Sequence, residues 1–400
     1  MRNFDFFSDA FFPDWTGGLQ RYATELAATA VGRGHRGVLW TREWRVGGLV
    51  DVQNAIDGEI SVHNLLGKLP RRLRGGVLTI AALIHVPVGR PAGDCMVFHT
   101  PILGAAFMGR MRDRNQIYVF HASAGHELLT EAAAVGRVSR SVKLKGAVLL
   151  RLERRCIRRA DAVVVLSDFS RRLIEQLHPT TRPQRVVVIP GGTTVEPELS
   201  SDKDLSPRSG RLRRIVVLRR LEWRMGVDIL FEAFAGSTAQ KEGWQLDIVG
   251  TGSQEQHLKT FAAELGIGDS VIFHGRVSEE KKTQILEAAT LSVLPTRALE
   301  GFGLATVEAM SHGVIPIVTS AGASPEIVLP IDERLICEPA VESIRSSIDY
   351  WACERSDNEL SEIRTACRTR AQEFSWESVF AAYETLIKSL PSATFDTSGR

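Results

Sequence analysis

Along this 400-residue chain, short runs of β-branched and aromatic residues alternate with stretches whose apolar side chains recur every three or four positions. The short runs read as strands ending at Phe7, Trp40, His99, Phe120, Leu166 and Ile189 in the first half. In the second half they fall at 215–218, 246–249, 271–273, 291–294 and 315–318. Between the first two runs, Leu19, Tyr22, Ala23, Leu26, Ala27 and Ala30 share one helical face, and Gly32 and Gly34 end it. LATVEAMSHG predicts a helix with Leu304, Val307 and Met310 on its apolar face and Gly313 as its stop. SWESVFAAYETLIKSL predicts a last helix before a polar tail. Such alternation implies parallel sheets with helices on both faces.

One stretch breaks the pattern. EPELSSDKDLSPRSGR, residues 196–211, is polar, rich in Ser and Pro, and without periodicity, as an interdomain linker would be. The expected fold class is therefore α/β, with two Rossmann-like, doubly wound domains facing a central cleft: residues 1–195, then, beyond the linker, 212–375. Ligands of open α/β sheets bind outside the carboxyl ends of the strands. That rule selects Gly17, Gly18, His99, His121, Ser167, Gly191 and Gly192 in the first half. In the second half it selects Arg220, Gly250, Gly252, Gly275 and Glu300. Residues 41–94 are the least readable part.

Composition narrows the classes. The chain is 44% hydrophobic and 24% charged, with a net charge of +2, so no global field drives it onto nucleic acid. No apolar run approaches the roughly 18 residues that span a bilayer. The start, MRNFDFFSDAFFPDW, lacks a basic region followed by an apolar core, so no signal peptide is expected. Cys95, Cys156, Cys337, Cys353 and Cys367 are scattered and form no C-x-x-C pair. They read as free, mostly buried thiols in a reducing, cytoplasmic setting.

The candidate chemistry centres on LEGFGLATVEAM. LSVLP before it is a buried strand, and TRALEGFG must be loop, so Glu300 lies in the loop and Glu308 a turn into the helix. Amides near Gly303 would point from the helix N-terminus, an end that attracts phosphate. Two carboxylates could accept hydrogen bonds from hydroxyls on either side of it. A sugar joined to a diphosphate and a ribose would fit. An ordinary surface glutamate explains Glu308 alone, but not its pairing with Glu300 and a Gly-Phe-Gly.

EGFGLATVEAM resembles the E-x7-E motif of the family-4 retaining glycosyltransferases, which have the GT-B fold. Other segments resemble that family in the expected order: FFPDWTGGLQRYATELAATAVGRGH, YVFHASAG, RRADAVVVLSDFSRR, VVVIPGGTTVE, VVLRRLEWRMGVDILFEAF, LDIVGTGSQEQHL, VIFHGRVSEE and GVIPIVTSAGASPEIV. The likeness runs over roughly residues 3–390, and the ordered set is far more specific than any one motif. It implies that Glu308 binds ribose hydroxyls and Glu300 hydroxyls of the transferred sugar. It implies that the amides of Phe302, Gly303 and Leu304 seat the sugar and diphosphate, and that Arg220 neutralises the latter. Gly17 and Gly18 would let their loop approach phosphate, Arg276 and Val277 would border the base, and His121 would contact the transferred sugar. The final helix, in residues 376–400, would cross back to the first domain.

This chain departs from the family at three places. The diphosphate lysine falls at Met225, whose thioether cannot neutralise phosphate; the neighbouring Arg224 is expected to reach instead. Arg219 replaces a glycine and is expected to crowd its loop. Gly191 replaces an asparagine after Pro190.

The implied activity is retaining, metal-independent transfer from a nucleotide-diphosphate sugar to a hydroxyl of a glycan, lipid-linked or natural-product acceptor. No cofactor is expected. A non-catalytic sugar-nucleotide-binding partner, or an epimerase or hydrolase on the same fold, are the rival classes. Asp202-Lys203-Asp204 is formally a D-x-D but lies in the linker, where solvated charge is the better reading. GTGSQEQ lacks the third glycine of the dinucleotide fingerprint, and HASAGHE is not H-E-x-x-H. RVSRSVKLKGAVLLRLERRCIRR, which begins at Arg137 and ends at Arg159, carries nine Lys/Arg against one Glu. It reads as a solvated helix face or as a peripheral contact with anionic lipid at the inner membrane face.

Overall fold

The computed structural model describes residues 1–10, 17–41, 51–52, 60–64, 93–108, 114–195 and 213–391. The stretch 196–211, with Asp202-Lys203-Asp204, lies outside the described residues. By contact the chain divides into two compact units. One holds residues 1–133, 137–191 and 376–400; the other holds 192–375 with 134–136.

In the first unit the strands are β1 (Asn3–Ser8), β2 (Arg36–Thr41), β3 (Asp51–Val52), β4 (Ile60–Asn64), β5 (Cys95–Phe98), β6 (Asn115–Phe120), β7 (Ala162–Val165) and β8 (Val186–Val188). They form one sheet in the order β3-β4-β2-β1-β5-β6-β7-β8, parallel except for β3 against β4. The helices are α1 (Gly18–Gly32), α2 (Pro101–Phe107), α3 (Ala124–Ala134), α4 (Arg140–Arg159) and α5 (Asp168–Leu177). Consecutive residues such as Phe6-Phe7, Val97-Phe98 and Val163-Val164-Val165 are fully buried. Both faces of the sheet are covered, which is why these strands read as unbroken apolar runs.

On α4, the acidic residue of the basic stretch turns inward. Glu153 Oε1 accepts from Ser123 Oγ at 2.9 Å and lies 2.7 Å from His178 Nε2, with all three residues buried. What remains outside is cationic: Arg140, Lys143, Lys145, Arg151, Arg154, Arg155 and Arg158 are exposed. Among them Leu144 stands 68% exposed.

The second unit is a six-stranded parallel sheet: β9 (Arg214–Leu218), β10 (Gln245–Val249), β11 (Val271–Gly275), β12 (Leu291–Leu294), β13 (Ile315–Thr319) and β14 (Ile336–Cys337). Its helices are α6 (Val227–Ala235), α7 (Thr238–Lys241), α8 (Glu255–Glu264), α9 (Glu279–Ala288), α10 (Leu304–Ser311), α11 (Ser324–Val328), α12 (Val341–Cys353) and α13 (Asp357–Gln372). The strand order is β11-β10-β9-β12-β13-β14. The chain steps away from β9 in one direction, then returns through β12 on its other side. The order reverses between those two strands, and the loops that follow them flank the crevice where doubly wound sheets take their ligands.

A last helix, α14 (Trp376–Ser389), packs in the first unit against α1. The Tyr22 and Tyr383 hydroxyls lie 3.1 Å apart, and Phe380 meets Phe4 edge-on at 5.5 Å. Glu384 accepts from Arg33 at 2.8 Å and lies 2.9 Å from His35 Nε2; these two partners hold its carboxyl below the usual range.

Strand ends fall within one or two residues of those expected from sequence. The strands β3, β4 and β14 were not expected: β3 and β4 fall in the poorly readable stretch 41–94, and β14 has only two residues. All five cysteines are free thiols, four of them buried.

Candidate functional site

The site in the second unit is built from loops tied to one another by backbone hydrogen bonds. After β9, Arg219 N–H donates to Val249 O at 3.0 Å, and Leu221 N–H donates to Thr251 O at 3.0 Å. This packing depends on Gly250, whose φ is +139°; a Cβ there would sit 1.8 Å from the Arg219 carbonyl oxygen. The chain then makes one 3-10 turn, Trp223–Met225. Arg297, in the loop after β12, donates its N–H to Arg224 O at 2.9 Å. Its guanidinium grips Asp228 in a fork, at 2.5 and 2.7 Å, so this arginine is spent on structure.

Residues 296–303 form the loop that carries Glu300. Leu299 has φ +61°, the one non-glycine residue with positive φ among those described. Such strain persists only where the surroundings enforce it. Here Arg224, itself buried, donates from Nη1 to the Leu299 carbonyl at 3.0 Å. The Glu300 carbonyl accepts from Ala323 N–H at 2.9 Å. Phe302 is buried edge-on against Phe374, with ring centres 5.7 Å apart. Gly303, at φ +100°, is the N-cap of α10 and offers no side chain to the first turn. No side chain of the N-cap residue thus bonds the first amides of α10, and the helix dipole stands behind them.

The carboxylates are engaged within the chain. Glu300 Oε2 accepts from Arg219 Nη2 at 2.5 Å. Glu308 lies 2.5 Å from the Lys282 ammonium, which also meets Glu279 at 2.6 Å. Arg219 is buried, and it also donates from Nη1 to Thr296 Oγ1 at 2.6 Å and from Nη2 to Met225 Sδ at 3.0 Å. Burial lowers its pKa, Glu300 opposes that fall, and the like charges of Arg224 and Arg220 add to it.

Arg219, expected to crowd its loop, is buried with its guanidinium on Glu300, Thr296 and Met225. Arg220, expected at the diphosphate, is exposed and makes no hydrogen bond or ion pair among the described residues. Arg276 is exposed, while Val277 packs on the apolar cluster of Val216, Val249 and Ile285. Lys282 and Thr296 are neighbours that sequence reasoning missed, and it named Arg219 only as a departure from the family. Position alone could have flagged Arg219, because it directly follows β9.

In the first unit Gly17 caps α1 in extended conformation, φ −155°, and Gly18 opens that helix. His121 follows β6. Its Nε2 lies 3.0 Å from His99 Nδ1, and the Tyr22 ring meets it edge-on at 4.9 Å. His99 Nε2 is buried with no partner among the described residues. An orphaned N–H costs more than an orphaned lone pair, so the lower-energy arrangement protonates His99 on Nδ1. That proton points to His121 Nε2, which leaves His121 with its own proton on Nδ1. Burial pushes His121 down to about 3 and His99 well below its ordinary value, so both rings are neutral.

Among the described residues no cluster of three His, Cys, Asp or Glu side chains is disposed to hold a metal ion, and no helix is long and apolar enough to cross a membrane.

The all-parallel sheet reverses its strand order between β9 and β12, and the loops there carry Arg219, Arg224, Glu300 and the uncapped start of α10, where doubly wound sheets take their ligands. The family model for Glycosyltransferase Family 4 matches residues 16–196, and that for Glycosyl transferases group 1 matches residues 202–374. This chain belongs to the group 1/family 4 glycosyltransferases, with the GT-B fold.

An MMP alpha-(1->4)-mannosyltransferase of Mycolicibacterium hassiacum is 30% identical over 227 residues, 56% of this chain and 50% of that one. The match thus spans about half the length of that relative. A GDP-mannose-dependent alpha-(1-6)-phosphatidylinositol monomannoside mannosyltransferase of Mycobacterium tuberculosis is 24% identical over 335 residues, 79% of this chain and 80% of that one. The solved structure of a sucrose-phosphate synthase from Thermosynechococcus elongatus superposes with a TM-score of 0.77 at 18% identity, over 98% of this chain and 100% of the other. That likeness speaks for the fold.

Proposed function

We propose that this protein is a retaining glycosyltransferase that moves a sugar from a nucleoside-diphosphate sugar to an acceptor hydroxyl. The observation that carries this reading is the company Glu300 keeps. It sits in a strained loop at the strand-order reversal, beside arginines and the uncapped start of α10, with Glu308 one turn into that helix. The helix amides and Arg220 and Arg224 take the diphosphate. Glu300 takes hydroxyls of the sugar, Glu308 those of the ribose, and the loop at Arg276 and Val277 borders the base.

In the reaction the bond from the anomeric carbon to the phosphate oxygen breaks, and the acceptor oxygen bonds to that carbon on the same face. The acceptor's proton passes to the departing phosphate, so no side-chain base is needed. Charge grows on the diphosphate as it leaves, and preoriented guanidinium and amide donors stabilise it without reorganisation. These groups fill the role a divalent ion would otherwise take, so the transfer is metal-independent.

The acceptor reading is a lipid-linked hydroxyl at the cytoplasmic face of a membrane. The exposed cationic face of α4, with Leu144 at its surface, supports it, since basic and apolar groups together suit an anionic lipid surface. The GDP-mannose and phosphatidylinositol mannoside specified for the mycobacterial relative make GDP-mannose the first donor to test.

The test is a thermal-shift screen of UDP-, GDP-, ADP- and dTDP-sugars, because a ligand that binds the folded state raises its apparent stability. The donor that binds is then incubated with acceptors, and NMR of the product reads its anomeric configuration. Transfer with the donor's configuration kept is expected. Donor hydrolysis without transfer points to a hydrolase, and binding without turnover over a broad acceptor panel points to a non-catalytic partner.

A further inference from the structure

Arg219 is an unusual residue to bury. A guanidinium carries five donors and a permanent charge, and placing it out of water is costly unless its partners are good. Only one of its partners here is charged. Glu300 takes it end-on through a single oxygen, Thr296 offers a neutral hydroxyl, and Met225 offers a thioether, a weak acceptor. The contacts leave donor capacity to spare. Arg220 and Arg224 press like charge on it. Glu300 is the one anion it meets among the described residues, and Arg219 sits in the first position after β9, where the sheet's strand order reverses.

We propose that Arg219 is a donor-phosphate-binding residue, whose guanidinium exchanges Glu300 for the diphosphate when a nucleoside-diphosphate sugar enters. This rests on the glycosyltransferase reading and deepens it. In the empty site the cation and the carboxylate satisfy each other. Donor binding replaces their one contact with two: phosphate oxygens on Arg219, where a planar fork suits them, and sugar hydroxyls on Glu300. The exchange needs no new charge to be buried unpaired. Met225 marks the same place from the other side. Its sulfur lies 3.0 Å from Nη2, so a longer cationic side chain at position 225 would bring its charge to the spot that the guanidinium now holds. Arg219 is thus the cation of that spot, delivered from the strand end rather than from the 3-10 turn.

The experiment is calorimetric titration of UDP, GDP, ADP and dTDP into the full chain and its variants, with the matching nucleosides as controls that lack phosphate. Arg219→Met is expected to weaken the diphosphate that wild type binds by about tenfold or more, the scale of a charge-assisted contact, with the nucleoside's affinity unchanged. Arg219→Met that binds the diphosphate as tightly as wild type overturns the inference and makes Arg219 a latch for Glu300 alone. Should Arg219→Met fail to fold, the double variant Arg219→Gly, Met225→Lys decides. Binding within a few-fold of wild type supports the inference, and a folded double variant that does not bind overturns it. Wild type that binds none of the four diphosphates sinks the donor reading, and this inference with it.

Discussion

Glu300 shows what a single residue owes to its setting. Its carboxylate is held by a buried arginine, and its backbone is anchored by Ala323 behind a strained Leu299. Glu300→Ala removes the hydroxyl acceptor, and Arg220→Ala an exposed guanidinium free to meet phosphate. Each is expected to cut transfer to below about one hundredth of wild type while the folded circular-dichroism spectrum is kept. Full activity in either would remove it from the site. The histidine pair offers a second test. A base whose folded pKa is depressed contributes stability that is complete above its unfolded value of about 6.5 and is lost as pH falls below that toward the folded value. Melting temperature should therefore fall between about pH 6.5 and pH 3, and by less in His121→Asn. Nitrogen-15 NMR should find His121 protonated on Nδ1 alone at neutral pH.

Spacing and strand ends mark Glu300, Glu308, Gly303 and His121 in the sequence as candidates. They missed the partners. Nothing in the chain announces that Arg219 would face Glu300, or Lys282 face Glu308, since 81 and 26 positions separate them (300−219 and 308−282). Those pairs exist because neighbouring loops are brought together, and no local pattern encodes that.

At the scale of elements, the start of α10 carries the most demand. Gly303 holds φ +100°, and a Cβ there would meet Ser324 Oγ at 2.5 Å. Gly303→Ala is expected to cost about 1–3 kcal/mol in stability, measured by urea unfolding, and to weaken donor binding along with it. Elsewhere, α4 is anchored by Glu153. Glu153→Ala leaves His178 and Ser123 buried without their shared acceptor, and should destabilise the protein by about 3 kcal/mol. A loss under half a kcal/mol would mean the trio is replaceable. Sequence located α1, α10 and α14 closely because each repeats its apolar face over two turns or more. It did not reveal that the acidic residue of the basic stretch points inward, because burial of a carboxylate depends on which hydroxyl and imidazole the fold brings to it.

For the whole molecule, two readouts bear on function. Sedimentation with vesicles containing anionic lipid should retain the protein at low salt and release it at high salt, because the attraction is screened. No binding at low salt rules out a membrane role for the α4 face. Transfer, once a donor is found, should survive EDTA. A loss restored by added magnesium would overturn the metal-free reading.

The sequence by itself determined the alternation of strand and helix, the glycines that stop and start helices, and the ordered motifs that mark the family. These depend on residues close together in the chain, where periodicity and backbone freedom act directly. Only the tertiary structure decided which cation meets which carboxylate, that Arg219 turns inward while Arg220 stays in water, and which face of α4 remains charged. Electrostatic partners are chosen by distance in space and by burial, and both are set only once the sheet order brings the loops after β9, β10, β12 and β13 to one edge.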